Sequence, residues 1–186
     1  MDSEQRANPN QEFSDRFPVA VVLDSIRSAW NVGAIFRTAD AICAEHVYLG
    51  GICARPPHPG VLKTALGATE TVPWTYHEKT VQAVNDLKER GYHILCLERT
   101  PRSEIFWESS FQQPVGIVLG HEILGIQPDI LERADSIVEI PMYGSKHSLN
   151  VSTAFGILAY ELHRRWEPSP NRSDSAGISH PLPPTS

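Results

Sequence analysis

Apolar residues along this chain fall into two recurring patterns: compact runs of four or five, and longer stretches in which they return every third or fourth position. Val19 to Leu23 is a β-branched run that reads as a strand buried on both faces. A first helix is expected to start near Asn31, followed by a short strand at His46 to Leu49, a Gly50-Gly51 turn and a Pro-rich loop through Pro59. Val61 to Leu66 suits a short helix. After Val72 to Trp74, the stretch His77 to Arg90 sets Val81, Val84 and Leu87 on one helical face, and Gly91 is placed to stop it. Three more compact runs follow at His93 to Leu97, Val115 to Leu119 and Ser136 to Ile140, the last two separated by a short helix around Pro128 to Arg133. Val151, Ala154, Phe155, Leu158 and Leu162 then recur at helical spacing, which predicts a closing helix capped by Ser148 and ending near Trp166.

Strand and helix in regular alternation predict an α/β domain with a mostly parallel sheet and helices on both faces. Ligands in such sheets bind beyond the carboxyl ends of the strands, which directs attention to Asp24 to Asn31, Glu98 to Ser103, Gly120 to Gly125 and Pro141 to Asn150. The 186 residues suit one such domain over 18–166, preceded by a polar leader at 1–17 and followed by a Pro- and Ser-rich tail at 167–186, both expected to be flexible. There is no internal repeat.

Composition narrows the class. Hydrophobic residues at 41% and charged residues at 20% are ordinary for a folded globular chain. No apolar run is long enough to cross a bilayer and the polar amino terminus has no signal-peptide core, so a soluble cytoplasmic protein is expected. Cys43, Cys53 and Cys96 are odd in number and widely spaced, which fits a reducing compartment and predicts buried structural thiols. A net charge of −6 argues against coating nucleic acid with a broad cationic surface, although a local patch is sufficient for RNA. Arg27, Arg37, Arg55 and Lys63 fall together in the amino-terminal half; scattered, solvated charge is the alternative at this point.

The common nucleotide signatures are missing: no GxGxxG follows the first strand and no GxxxxGK[ST] occurs. H-E-x-x-H, C-x-x-C and G-x-S-x-G are also missing. Cys43, His46 and Cys53 form a C-x2-H-x6-C cluster that spans a helix end and a strand, where core packing is favoured over zinc, and no metal is expected.

Three segments are harder to explain by packing: Asn31-Val-Gly-Ala-Ile-Phe-Arg37, Leu119-Gly-His-Glu-Ile-Leu-Gly125, and Ile140-Pro-Met with Ser148-Leu-Asn-Val-Ser-Thr-Ala154. In order and spacing they resemble the three motifs of the SpoU/TrmH branch of the SPOUT RNA methyltransferases, over about Val19 to Trp166. The resemblance implies a carboxy-terminal trefoil knot, S-adenosylmethionine bound by the knot loops, a homodimer, and methylation of a ribose 2′-hydroxyl in tRNA or rRNA. It places Arg37, Asn31, Glu122, Ser148 and Asn150 in the catalytic centre. It places Leu97, Leu119, Gly120, His121, Glu122, Gly125, Ile140, Met142, Ser148, Leu149, Asn150 and Ala154 around the cofactor.

The residue chemistry can be read beside that resemblance. A guanidinium stays protonated and is a poor base, so Arg37 suits stabilisation of a developing alkoxide, projecting with Asn31 from one helix toward the strand ends. Asn31 both donates and accepts hydrogen bonds, and so can orient a ribose or hold Arg37, with N-capping as its bland alternative. Glu122 is expected to fix loop geometry near the cofactor and Arg37. Gly120 and Gly125 are expected to let backbone approach a ligand closely. His121 departs from the family's usual asparagine. Two other readings remain open here: a knotted RNA-binding or assembly factor without catalysis, and a base-directed RNA methyltransferase.

Overall fold

A computed structural model describes residues 16–166 and, as backbone, residues 5–6. The order is β1 (Gln5–Arg6), β2 (Phe17–Asp24), α1 (Ala29–Ala41), β3 (Ala44–Gly50), α2 (Pro59–Ala65), α3 (Ala68–Thr71), β4 (Trp74–His77), α4 (Thr80–Glu89), β5 (His93–Leu97), β6 (Glu104–Ile105), β7 (Val115–Leu119), α5 (Pro128–Leu131), β8 (Ser136–Glu139) and α6 (Val151–Trp166). The strands form one sheet in the order β1-β4-β3-β2-β7-β5-β8-β6. Every pairing is parallel except that of β1 with β4.

Period-two alternation sends the side chains of each central strand to opposite faces, so two cores form. Val19, Val21 and Leu23 of β2 pack with Ile35 and Phe36 of α1 and with Phe155 and Leu158 of α6. Ala20 and Val22 face the other way, toward Ala83, Val84 and Leu87 of α4 and Ile130 of α5. This is the expected α/β sheet with helices on both faces. The knot implied by the resemblance requires late chain to pass inside chain already laid down. In the sheet β8 is seated between β5 and β6, the two strands joined by residues 98–103.

Several expectations need correcting. Phe17, the last residue of the expected polar leader, is buried and opens β2, where its ring meets His163 and Trp166. Gln5–Arg6 of that leader pairs antiparallel with β4; the rest of the leader and the 167–186 tail lie outside the described residues. Strand, not helix, claims His77, because β4 continues the parallel ladder with β3 to Gly50↔His77, and α4 starts at Thr80. The α6 cap is Asn150, whose Oδ1 accepts from Ser152 N (3.0 Å), and not Ser148. Cys43 is exposed in a left-handed turn (φ 53) after α1, whereas burial pushes the Cys53 and Cys96 thiols up to about 12. The short α3, β1 and β6 have no pattern long enough to announce them.

Glycine is required at one helix crossing. A Cβ on Gly33 of α1 would stand 2.0 Å from Thr64 Oγ1 and 2.3 Å from the Val61 carbonyl, so α2 can lie against α1 only because that atom is missing. Thr64 Oγ1 donates to the Trp30 carbonyl (3.0 Å) and locks the crossing.

On the opposite face His46 is buried with its Nε2 at 2.9 Å from Thr75 Oγ1. Burial, reinforced by Arg90, holds its pKa down to about 4 from the ordinary 6.5. Between these values the unfolded chain takes up a proton that the folded chain does not, so stability falls as pH drops from 6.5 to 4 and this contribution is exhausted below 4. Urea melts across that interval are expected to show a loss of about 3 kcal/mol from this group. His46→Gln, which can still partner Thr75, is expected to flatten the slope; an unchanged slope would exclude His46 as its source.

Candidate functional site

The strands end in a row. Register pairs Leu23 with Leu119, Leu119 with Leu97, and Leu97 with Val138, so β2, β7, β5 and β8 all stop at one level. Their outgoing segments, beginning at Ser25, Gly120, Glu98 and Ile140, therefore emerge side by side. This is the sheet edge where a parallel α/β fold collects its ligands.

Two carboxylates grip the segment after β7. Asp24, fully buried at the end of β2, accepts from Thr80 Oγ1 (2.7 Å), Gln127 N (2.9 Å) and Gln127 Nε2 (2.6 Å). From the other side Glu98 accepts from Ile126 N (3.0 Å) through Oε2 and from Arg99 N (3.0 Å) through Oε1. Hydrogen bonds to charged acceptors are the stronger class, and a buried carboxylate needs them to offset desolvation. Asp24 and Glu98 open two of the loops marked out from the sequence, but neither carboxylate, nor Gln127, was given a role there. The usable signal was an acidic residue closing each of two apolar strands, at Asp24 and Glu98.

Between those grips the loop folds on itself. His121 and Gly125 exchange backbone hydrogen bonds (3.1 and 2.9 Å), and His121 Nδ1 accepts from Ile123 N (3.0 Å) and Leu124 N (3.2 Å). A ring nitrogen that accepts must be unprotonated, which puts the neutral ring's proton on Nε2. His121 thus closes the turn as an asparagine oxygen would. The loop's own packing also requires both glycines. A Cβ on Gly120 would meet Gly125 C and Ile126 N at 2.4 Å, and Gly125 has φ +70 with Glu98 Oε2 at 2.5 Å from any added Cβ.

The three motifs meet through side-chain amides. Asn31, in the first turn of α1, donates from Nδ2 to Glu122 Oε1 (3.0 Å) and accepts at Oδ1 from Asn150 Nδ2 (3.0 Å). Capping is not its task, because Ser28 caps α1 and accepts from Asn31 N (3.3 Å). Asn150 both caps α6 and reaches Asn31, so one residue fixes the start of a helix and the end of the loop before it. Ser148 is exposed two residues earlier and makes no hydrogen bond among the described residues.

Arg37 departs from expectation. Six residues beyond Asn31, it lies about 9 Å along the helix and about 240° around it, so the two do not share a face. It has no partner among the described residues, and Glu122 bonds Asn31 instead. Arg37 opens onto a separate depression of about 530 Å³ lined also by Thr38, Lys63, Leu66 and Tyr160.

The remaining expected positions sort by exposure. Leu119 is buried and can offer only backbone to a ligand, while Leu97, Ile140, Met142 and Ala154 are half-buried and Leu149 is exposed. No backbone group of residues 141–149 has a hydrogen-bond partner among the described residues. Ile123, Leu124 and Tyr143 are the most exposed large apolar side chains, at 88, 82 and 87%.

The sequence profile described as "SpoU rRNA Methylase family" matches residues 18–160. The tRNA (guanosine(18)-2'-O)-methyltransferase of Aquifex aeolicus is 34% identical over 151 residues, covering 79% of this chain and 69% of that protein. The 23S rRNA (guanosine-2'-O-)-methyltransferase RlmB of Ralstonia nicotianae is 32% identical over 148 residues, covering 80% and 59%. Among solved structures, the AdoMet-bound rRNA methyltransferase from Sinorhizobium meliloti superposes with a TM-score of 0.75 at 25% identity, over 84% of this chain and 61% of that one. The A. aeolicus TrmH/SpoU tRNA modifying enzyme gives 0.72 at 32% identity, over 81% and 76%. The chain spans between 53 and 69% of the length of such curated relatives.

The buried grip on the β7 loop has a direct test. Asp24→Ala strands the Gln127 amide and the Thr80 hydroxyl without their acceptor, and is expected to destabilise the protein by about 2–4 kcal/mol in denaturant melts. Hydrogen exchange at 120–127 should accelerate more than at α1; unchanged exchange there would mean that the carboxylate does not hold the loop.

Proposed function

This chain belongs to the SpoU rRNA Methylase family, and on that premise we propose that it transfers a methyl group from S-adenosylmethionine to a ribose 2′-hydroxyl of tRNA or rRNA. The observation that carries the reading is the convergence of Asn31, Glu122 and Asn150, one from each motif, above a common row of strand ends. Packing has no need of three polar side chains, drawn from positions 31, 122 and 150, meeting near the surface.

The residues present fit the cofactor. Backbone donors and acceptors of 141–149 are open to the edge of an adenine, and Leu97, Ile140, Met142 and Leu149 offer apolar surface beside them. Gly120, His121, Glu122 and Gly125 form the facing loop, held rigid by Asp24 and Glu98, while Leu119, Ser148, Asn150 and Ala154 complete the surroundings. When bound, S-adenosylmethionine supplies a methyl group on a cationic sulfur that leaves neutral, so alignment matters more than a metal.

The protein's own side chains then act on the ribose. Arg37, with no other partner among the described residues, stabilises negative charge developing on the 2′-oxygen, and its permanent protonation makes it an electrostatic aid and not the base. Asn31 keeps Glu122 and Asn150 in register, and Glu122 in turn holds the His121–Gly125 loop against α1.

Arg37 stands apart from the cofactor loops of its own chain, which supports a homodimer in which it serves the partner's loops. The exposed Ile123, Leu124 and Tyr143 give a second copy apolar surface to cover. Among the described residues no helix is long and apolar enough to cross a membrane, and the RNA substrate carries a cytoplasmic location with it.

Incubation with methyl-labelled S-adenosylmethionine and total RNA, followed by alkaline hydrolysis, is expected to leave label in alkali-resistant dinucleotides. Label in a modified base would reject ribose chemistry, and no transfer would reject the enzyme. Arg37→Ala should lower turnover by about a hundredfold or more while calorimetry finds cofactor affinity nearly unchanged. A large loss of cofactor binding would mean that its role is different.

A further inference from the structure

The charge of this protein is unevenly distributed. Residues 26–67 contain four basic and two acidic side chains, whereas the rest of the chain contains twelve basic and twenty acidic. Of the two acids, Glu45 is buried on the opposite face against Arg90, and Asp40 accepts from Thr71. Arg37 of α1 and Lys63 of α2 thus give this face two cations, with Asp40 near the carboxyl end of α1 as the one carboxylate on these two helices.

That area has aromatic surface built into it. Trp30 is 53% exposed, and Lys63 Nζ lies 5.0 Å from the centroid of its ring. Lys63 also lines the depression that holds Arg37 and Tyr160, so one continuous path runs from Trp30 past Lys63 to Arg37. Arg37 and Lys63 are the charged side chains lining this depression, and no carboxylate opposes them. Its floor is rigid, because the glycine crossing at Gly33 and the Thr64 bond to the Trp30 carbonyl fix α2 on α1.

We infer that α1 and α2 form a platform for single-stranded RNA, on which Trp30 stacks against a base, Lys63 holds the adjoining phosphate, and the strand continues toward Arg37. This rests on the methyltransferase reading and deepens it by assigning a surface to the RNA. Every base has a face that can stack on indole, and a cation beside it neutralises backbone charge, which together hold an unpaired strand without reading its sequence. Trp30 and Arg37 are seven positions apart on α1, two turns of helix, which sets both on one face along the strand's path. An extruded or unpaired ribose is also the form in which a 2′-hydroxyl is most accessible to an enzyme.

The test measures RNA binding separately from catalysis. Fluorescence anisotropy with a labelled single-stranded RNA oligonucleotide is expected to show affinity falling about tenfold for Trp30→Ala and largely restored in Trp30→Phe. Lys63→Ala should reduce the slope of log affinity against log salt by about 1. Both side chains are exposed enough for these variants to fold, which thermal melts check. S-adenosylmethionine affinity by calorimetry and mass by sedimentation should match wild type. Unchanged RNA affinity and salt slope in both variants would overturn the platform. A change of oligomeric state in Trp30→Ala would also overturn it, showing that a second copy of the chain covers this face. If wild type binds the oligonucleotide through Trp30 but transfers no methyl group, the platform stands and the enzymatic reading fails.

Discussion

A side-chain amide has one donor end and one acceptor end, and Asn31 uses both to join segments far apart in sequence. Its nitrogen holds Glu122 and its oxygen receives Asn150, each at 3.0 Å. Single hydrogen bonds near a surface contribute about 1 kcal/mol each, too little to assemble a site by themselves. They can select one arrangement because the sheet has already brought the segments alongside: four strands end level, and Asp24 and Glu98 clamp the loop between them from beneath. Burial in the sheet supplies the energy, and the amide supplies the register.

The division of labour extends to the glycines and to His121. Gly120 and Gly125 are required by the loop's contact with itself and with Glu98. His121 shows how a different residue type can do an amide's work: Nδ1 replaces a carbonyl oxygen as acceptor for two backbone N–H groups. What the loop requires at that position is a lone pair at the right distance, and imidazole supplies it with a proton left on the outer nitrogen.

Long strands with near-continuous apolar character were legible in the sequence. β5 and β7 have the bounds expected from their runs, because a buried parallel strand admits few polar residues. The motif residues were legible too, since glycines and amides clustered between apolar runs have no packing explanation. Pairwise geometry was not. Six residues of helix separate Asn31 from Arg37, and helical rotation turns them to different faces, which spacing could have warned of. Nothing in the local sequence revealed that Asn150 rather than Ser148 would cap α6, because both types cap well and tertiary contact with Asn31 decides between them. Asp24 was concealed for a related reason: its partner Gln127 is more than a hundred residues away.

Methyl transfer by this site requires a ligand lying where Asn31 gathers the two late loops. Diffusing S-adenosylmethionine into crystals of the protein and locating it is the most direct check. Density is expected between 120–125 and 140–149, against open main-chain groups of the later loop, with the Asn31–Glu122 and Asn31–Asn150 bonds intact. A ligand seated instead in the depression lined by Arg37 and Lys63, or loops that stand away from Asn31, would contradict it.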